Sequence, residues 1–428
     1  MKILYESTVL GMGHTIERAK TGIFRVIENI LIELLNRDDL TVNLTSVQSK
    51  KAQADLIKYV KDLGAELKIN EDAVFQANNL MLQERRENAF HNLLSPPFLK
   101  PSKLKNFYRI LDASTQLSIS TKTKSLEKNG FDIFHSPYHP IPAGLKNNKS
   151  IKKFWTSYDL IPILFPHFFL QETIDEVKCA LSRLDRDTWI VCISESTKND
   201  LLNYLGNKID PAKVVVTPLA ASNNFYKVED PNEIKNVLTK YSIPTDKPYI
   251  LSLCTLEPRK NIVQIIKAFV NLVQDEKIND LHLVLAGTKG WKFDAIFNEV
   301  KHVDVLRNKV FATGYVSETD QAALYSGAKM FAYPSFYEGF GLPPLEAMQC
   351  GVPVITSNTS SLPEVVGNAG IMVDPYDLAA LTQSMLDLYR NESLQKEYGI
   401  KALERSKTFT WHQTANLTVA AYKKSILE

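Results

Sequence analysis

Glu338 and Glu346, with seven residues between them, bracket the turn Tyr337-Glu338-Gly339-Phe340-Gly341-Leu342-Pro343-Pro344. The apolar run Met330 to Tyr333 before it predicts a buried strand, Gly339 and Gly341 punctuate the turn, and Pro343 and Pro344 suit the first turn of a helix. Two carboxylates therefore stand at a strand-to-helix crevice. Backbone amides of such a turn approach phosphate or sugar oxygens closely, the helix N-terminus adds partial positive charge, and a carboxylate on the loop accepts hydrogen bonds from hydroxyls. A competing reading makes Glu346 a first-turn helix stabiliser and Glu338 a solvated loop charge.

The whole segment, together with Leu345-Glu346-Ala347-Met348 and Gly351-Val352-Pro353-Val354, decides between them. It resembles the paired-glutamate motif of retaining nucleotide-sugar glycosyltransferases of the GT-B fold, family four, also called group one. The resemblance implies that Glu338 contacts hydroxyls of a donor sugar, that Gly339, Phe340, Gly341 and Leu342 line the donor, and that Glu346 binds the nucleotide ribose. It also implies that Arg259 and Lys260, in Thr255-Leu256-Glu257-Pro258-Arg259-Lys260-Asn261, neutralise a diphosphate. A solvated Arg-Lys pair is the bland alternative, and the motifs Ala286-Gly287, Lys289-Gly290-Trp291 and Thr313-Gly314-Tyr315-Val316 around it favour the binding role. Cys254 departs from the pattern, in which relatives usually carry glycine or a glycine-arginine pair.

Weaker signals lie in the first half. Gly22 and Arg25, in Thr21-Gly22-Ile23-Phe24-Arg25, occupy the place of a glycine-rich loop in relatives, and the Gly22 amide would face the diphosphate from across a cleft. Relatives use a histidine near the end of a strand to contact the donor sugar, which makes His135 and His139 catalytic candidates beside Glu338, Arg259 and Lys260. A packed histidine is the equal alternative. Tyr158-Asp159-Leu160-Ile161-Pro162 resembles a His-Asp-Leu-Ile-Pro segment with tyrosine in the histidine position, leaving Asp159 as an acceptor-site carboxylate or a helix cap.

The elements that must position these groups are those of parallel α/β sheets, short apolar runs alternating with longer helical segments. Strands are expected at Ile3 to Tyr5, Leu40 to Val47, Asp132 to His135, Phe154 to Ser157, Val191 to Ser194 and Val214 to Thr217. A second series is expected at Ile250 to Cys254, Leu281 to Ala286, Val310 to Ala312, Met330 to Tyr333 and Val352 to Thr356, after a polar linker from about Tyr226 to Pro248. This gives two Rossmann-like domains facing a deep cleft, residues 1–225 for the acceptor, with a returning helix over 411–428, and residues 226–410 for the nucleotide sugar.

With 428 residues, 44% hydrophobic, and a net charge of +2, the chain is an ordinary globular protein without a global case for nucleic acid. Four cysteines without metal spacing fit a reduced cytoplasmic protein. No apolar run reaches the length of a membrane span, so any membrane contact is peripheral. Residues 98–153 carry eleven Lys and Arg against three Asp and Glu, interleaved with aromatics, which suits either an anionic membrane surface bearing a lipid-linked acceptor or a solvated face.

The motif resemblance implies retaining transfer of a hexose from a nucleotide-diphosphate sugar to a hydroxyl of a saccharide or lipid-linked glycan, without a cofactor or metal. The variant Leu256 to Asn261 resembles mannosyl- and rhamnosyltransferases of surface polysaccharide pathways, which points to GDP-mannose. Other GT-B enzymes, such as a sugar phosphorylase or nucleotide-sugar epimerase, and a non-catalytic nucleotide-sugar-binding protein are the alternatives.

Overall fold

A computed structural model describes residues 1–16, 22–69, 71–75, 130–146, 148–288, 290 and 308–428. Thr21, Lys289, Trp291 and residues 98–129 and 147 of the basic stretch lie outside the described residues. Two parallel six-stranded sheets organise the chain. The first holds β1 (Lys2–Glu6), β2 (Thr41–Thr45), β3 (Ile133–Ser136), β4 (Lys152–Ser157), β5 (Thr188–Cys192) and β6 (Val214–Val216), in the order β2-β1-β3-β4-β5-β6. The second holds β7 (Tyr249–Leu253), β8 (His282–Ala286), β9 (Val310–Gly314), β10 (Met330–Tyr333), β11 (Val354–Ser357) and β12 (Ile371–Val373), in the order β12-β11-β10-β7-β8-β9. Strands such as β3, β5, β8 and β10 are buried along their whole length, as parallel strands covered by helices on both faces must be.

Strand order locates the place where a ligand fits. In the second sheet the order reverses between β7 and β10, and in the first between β1 and β3. Loops leaving the carboxyl ends of adjacent strands at such a point diverge to opposite faces and leave a crevice. The loop after β7 carries Arg259 and Lys260, and the loop after β10 carries Glu338. The two segments nominated by the sequence therefore meet because the topology brings their strands side by side.

Three expectations need correction. β5 ends at Cys192 rather than Ser194, because the Ser194 side chain accepts from the Thr197 amide and caps the helix Glu195–Leu205. The polar stretch read as a linker contains the helix Pro231–Lys240, with Pro231 at its first turn and the Asp230 carboxylate accepting from the Asn232 amide. The edge strand β12, Ile371–Val373, went unread.

The final helix, Trp411–Leu427, packs on the helix Gly22–Leu35 of the first half. Thr414 Oγ1 donates to the Pro218 carbonyl at 2.5 Å, Lys423 pairs with Asp39 at 2.7 Å, and Tyr422 is fully buried against Phe154, the rings meeting edge to face at 4.7 Å. Among the described residues no helix is long and apolar enough to cross a membrane.

Candidate active site

Glu338 is the centre of a compact charge cluster. Its Oε1 accepts from Lys260 Nζ at 2.7 Å and from the Tyr333 hydroxyl at 2.9 Å, while its Oε2 lies 2.9 Å from Arg259 Nη1. Tyr333 also accepts from Lys260 Nζ at 2.6 Å, and Arg259 Nη2 donates to Glu257 Oε1 at 2.8 Å. All of this sits in a protein interior, Glu338 being 7% and Lys260 9% exposed. Burial pushes the Glu338 carboxyl up, but the Arg259 and Lys260 charges outweigh it and hold the group at about 2. Arg259 loses solvation as well, yet Glu338 and Glu257 raise it above the usual range, so the guanidinium is a fixed cation. Its Nε is buried with no hydrogen-bond partner, a donor left over in a site rich in positive charge.

The backbone around the cluster is tied down from both sides. The Phe336 amide and Ser335 Oγ donate to the Arg259 carbonyl at 3.0 and 3.1 Å, Arg259 Nη1 donates to the Tyr337 carbonyl at 2.5 Å, and the Glu338 amide donates to Ser360 Oγ at 2.9 Å. Asn261, in the left-handed conformation, donates to the Pro334 and Pro375 carbonyls and opens the helix Ile262–Gln274 directly behind the two cations. Gly339 is pressed against the first half: a Cβ there would lie 2.4 Å from the Tyr158 carbonyl oxygen. Ser194 Oγ donates to the Gly339 carbonyl at 2.7 Å from the same side. Gly341, at φ +115°, turns the chain into the helix Leu342–Gln349 with Pro343 and Pro344 in its first turn.

Glu346 lies on that helix, 3% exposed, its Oε2 accepting from the Tyr325 hydroxyl at 3.2 Å. Its Oε1 faces Arg25 Nη1 at 3.4 Å, and the same guanidinium nitrogen donates to Glu318 Oε1 at 2.7 Å. Burial raises the Glu346 carboxyl and Arg25 lowers it, with a net upward shift. Gly22 begins the helix that carries Arg25, and a Cβ on it would meet Leu342 Cδ1 at 3.9 Å. Gly22, Arg25, Leu342 and Glu346 thus form one junction between the two halves.

Other nominated residues stand elsewhere. His135 is 2% exposed, its Nδ1 bonded to the Tyr422 hydroxyl and its Nε2 to Thr156 Oγ1 at 2.8 Å. Burial alone drives it down to about 3. It is a neutral packing residue under the last helix, and the structure does not bring it to Glu338. His139 lies on the loop after β3, its Nε2 buried without a partner and its ring edge to face with Tyr138 at 5.2 Å. It acts on Glu6, at the end of β1, against the burial that raises that carboxyl. Asp159 Oδ1 accepts from the Ile161 amide at 2.9 Å, the cap reading, yet the carboxylate also faces Gly339 and feels both Arg259 and Glu338. Burial raises it, against the opposing pull of Arg259. The Phe340 side chain is 4% exposed and packs edge to face on Phe409 at 5.9 Å, so it anchors the loop instead of lining the crevice.

Tyr333, Tyr325, Glu257 and Glu318 escaped the sequence reading. Tyr333 closes the strand before the motif and Glu257 lies two residues before Arg259, positions that could have found both; Tyr325 and Glu318 lie on the helix Glu318–Ser326, with no motif to mark them.

Residues 233–405 match the profile of the family described as Glycosyl transferases group 1. The chain is 33% identical over 292 residues to O-antigen chain mannosyltransferase B of Escherichia coli, covering 68% of this chain and 74% of that protein. It is 31% identical over 296 residues to the serotype-specific mannosyltransferase WbdA of Escherichia coli, covering 66% of this chain and 34% of that longer protein. Among solved structures, sucrose-phosphate synthase from Thermosynechococcus elongatus superposes with a TM-score of 0.65 at 17% identity, covering 99% of this chain and 98% of that one, a likeness of fold alone.

Proposed function

The chain belongs to the group 1 glycosyltransferases, and from that premise we propose that it moves a hexose from a nucleotide-diphosphate sugar to a hydroxyl of a saccharide or lipid-linked glycan, with retention at the anomeric carbon. The observation that carries the reading is the placement of Arg259 and Lys260 around Glu338 at the sheet's switch point. As the bond between the anomeric carbon and the phosphate oxygen breaks, negative charge grows on the departing diphosphate. Two cations held in a buried site stabilise that charge without reorganising, and the N-terminus of the helix Ile262–Gln274 adds to them. The acceptor oxygen joins the anomeric carbon from the face the phosphate leaves, and its proton passes to the departing phosphate oxygen. Glu338 stays ionised and accepts from sugar hydroxyls, Glu346 holds the ribose, and Asp159 faces the acceptor.

GDP-mannose is the donor we favour, supported by the two relatives named mannosyltransferases. Surface polysaccharide synthesis is the corresponding setting. A panel of GDP-, UDP- and dTDP-sugars, read by thermal stabilisation, tests the assignment. One stabilising nucleotide sugar whose effect disappears in Glu346→Ala and Arg259→Ala supports it. No shift with any of them at saturation removes it.

A further inference from the structure

Beside the charge cluster, a row of aromatic rings crosses from one half of the chain to the other. Tyr376, 76% exposed, lies 4.9 Å from Phe336; Phe336 stacks on Phe168 at 6.3 Å with an interplanar angle of 14°. Phe168 is followed at 6.3 Å by Phe165, and Phe165 by Tyr337 at 5.0 Å, while His167, exposed, lies against Phe168 at 4.1 Å. Phe165, Phe168, Phe336 and Tyr337 are all partly solvent-accessible. Leu164 and Leu170, 40% and 62% exposed, extend the apolar surface along the same segment.

This row is continuous with the reacting groups on both sides. Phe336 and Tyr337 immediately precede Glu338, and their backbone is bonded to Arg259. Phe165 and Phe168 follow the short helix Ile161–Leu164, whose first amide donates to Asp159. Polar groups accompany the rings: the Tyr337 hydroxyl donates to Asp200 Oδ2 at 2.7 Å, and Ser196 Oγ lies 3.5 Å from the Tyr337 hydroxyl. Core packing does not require so many large rings at a surface, and an exposed apolar patch at a crevice marks a binding surface. The charges beside it select the partner. The helix Gln171–Ser182, which follows Phe168 in the chain, exposes Glu172, Asp175 and Glu176 against one exposed cation, Lys178, a net negative surface that disfavours an anionic lipid.

We infer that the row Tyr376, Phe336, Phe168, His167, Phe165 and Tyr337 is a subsite for the glycan acceptor, in which successive pyranose rings lay their C–H faces on aromatic faces while their hydroxyls meet the flanking polar groups. The occupant is an uncharged saccharide of several units, the growing end reaching Asp159 and Glu338 and the older units running out over Phe168 and Tyr376. The inference rests on the glycosyl transfer proposed above but concerns ring side chains to which no donor contact is assigned, so the two fail separately.

Binding of α-linked mannotetraose, maltotetraose and chitotetraose to the full chain, without donor, is measured by calorimetry for the wild type, Tyr376→Ala and Phe168→Ala. Tyr376 is exposed, so its truncation leaves the core intact. One tetrasaccharide binds the wild type, and its Kd rises about tenfold in each variant, equivalent to about 1.4 kcal/mol, while nucleotide-sugar stabilisation is unchanged. Saccharide binding with no nucleotide-sugar effect would leave this subsite standing and remove the transferase reading. No binding of any tetrasaccharide to the wild type, or equal affinity in all three proteins, overturns the subsite. Retention of the wild type on phosphatidylglycerol vesicles that is lost in Tyr376→Ala, with saccharide affinity unchanged, also overturns it in favour of a membrane contact.

Discussion

Replacing Glu338 with glutamine tests the electrostatics of the site most directly. The carboxyl is held at about 2 against an ordinary 4.5, because Arg259 and Lys260 outweigh its burial. A carboxylate whose folded pKa is depressed contributes stability that is fully present above its unfolded pKa and lost as pH falls through the folded one. The window here runs from about pH 4.5 down to about pH 2, and the contribution is about 3 kcal/mol. Glutamine keeps the shape and loses the charge, leaving Arg259 and Lys260 buried beside each other with Glu257 as the ion-pair partner of Arg259 and Asp159 acting on both cations from further away. Breaking a buried pair in this way costs about 3–5 kcal/mol. Urea unfolding at pH 7 should therefore show Glu338→Gln less stable by that amount. Between pH 4.5 and pH 3 the wild type should lose stability faster than the variant. Added GDP restores an anionic partner to the cations and should stabilise the variant at least as much as the wild type. A variant within 1 kcal/mol of the wild type at pH 7, with the same pH slope, would refute the argument that the cluster is held by these charges.

Gly339→Ala places a methyl group 2.4 Å from the Tyr158 carbonyl, so the loop must move; sugar transfer should fall by at least about a hundredfold, with kcat read in a coupled nucleotide-release assay. His135→Gln leaves the Tyr422 hydroxyl or Thr156 without its present partner. It should cost about 1–3 kcal/mol of stability in urea unfolding, while nucleotide-sugar stabilisation persists. Transfer should survive EDTA with unchanged rate, since Arg259 and Lys260 supply the charge that a divalent ion would otherwise provide; loss of activity on chelation, restored by Mg²⁺ or Mn²⁺, contradicts that assignment.

Much of the fold was readable because it is encoded locally. β10 and the turn after it announce themselves through four apolar residues, two glycines and two prolines in one short stretch, and the structure places that strand at Met330–Tyr333. β12 lacked any such signal, and the helix Pro231–Lys240 hid inside a polar stretch because its apolar face is carried by few residues, Val237 and Leu238 among them. In the site, Arg259, Lys260 and Glu338 come from two loops whose strands neighbour each other, so motif reading reached them. The histidines were ambiguous for a physical reason. His135 sits near the end of a strand, where a ligand-facing and a core-facing side chain look alike in sequence, and only the return of Tyr422 from 287 residues away decides which it is.

Arg25 shows the same limit from the opposite direction. Nothing in its neighbourhood of the sequence pairs it with Glu318 or Glu346, which lie 293 and 321 residues further on. Yet among the described residues Arg25 is the one cation opposing Glu346, and the net upward shift of the Glu346 carboxyl shows that the compensation is partial. Glu338 differs, with two cations and a tyrosine on its two oxygens. One carboxylate is locked into the lattice of charges and the other is loosely held. Of the two, Glu346 is therefore the one that an incoming hydroxyl pair can most readily capture, and its capture would leave Arg25 paired with Glu318 alone. The ribose role assigned to Glu346 and the phosphate-facing role suggested for the loop of Gly22 and Arg25 are in this way linked by one ion pair, which no reading of either motif alone contains.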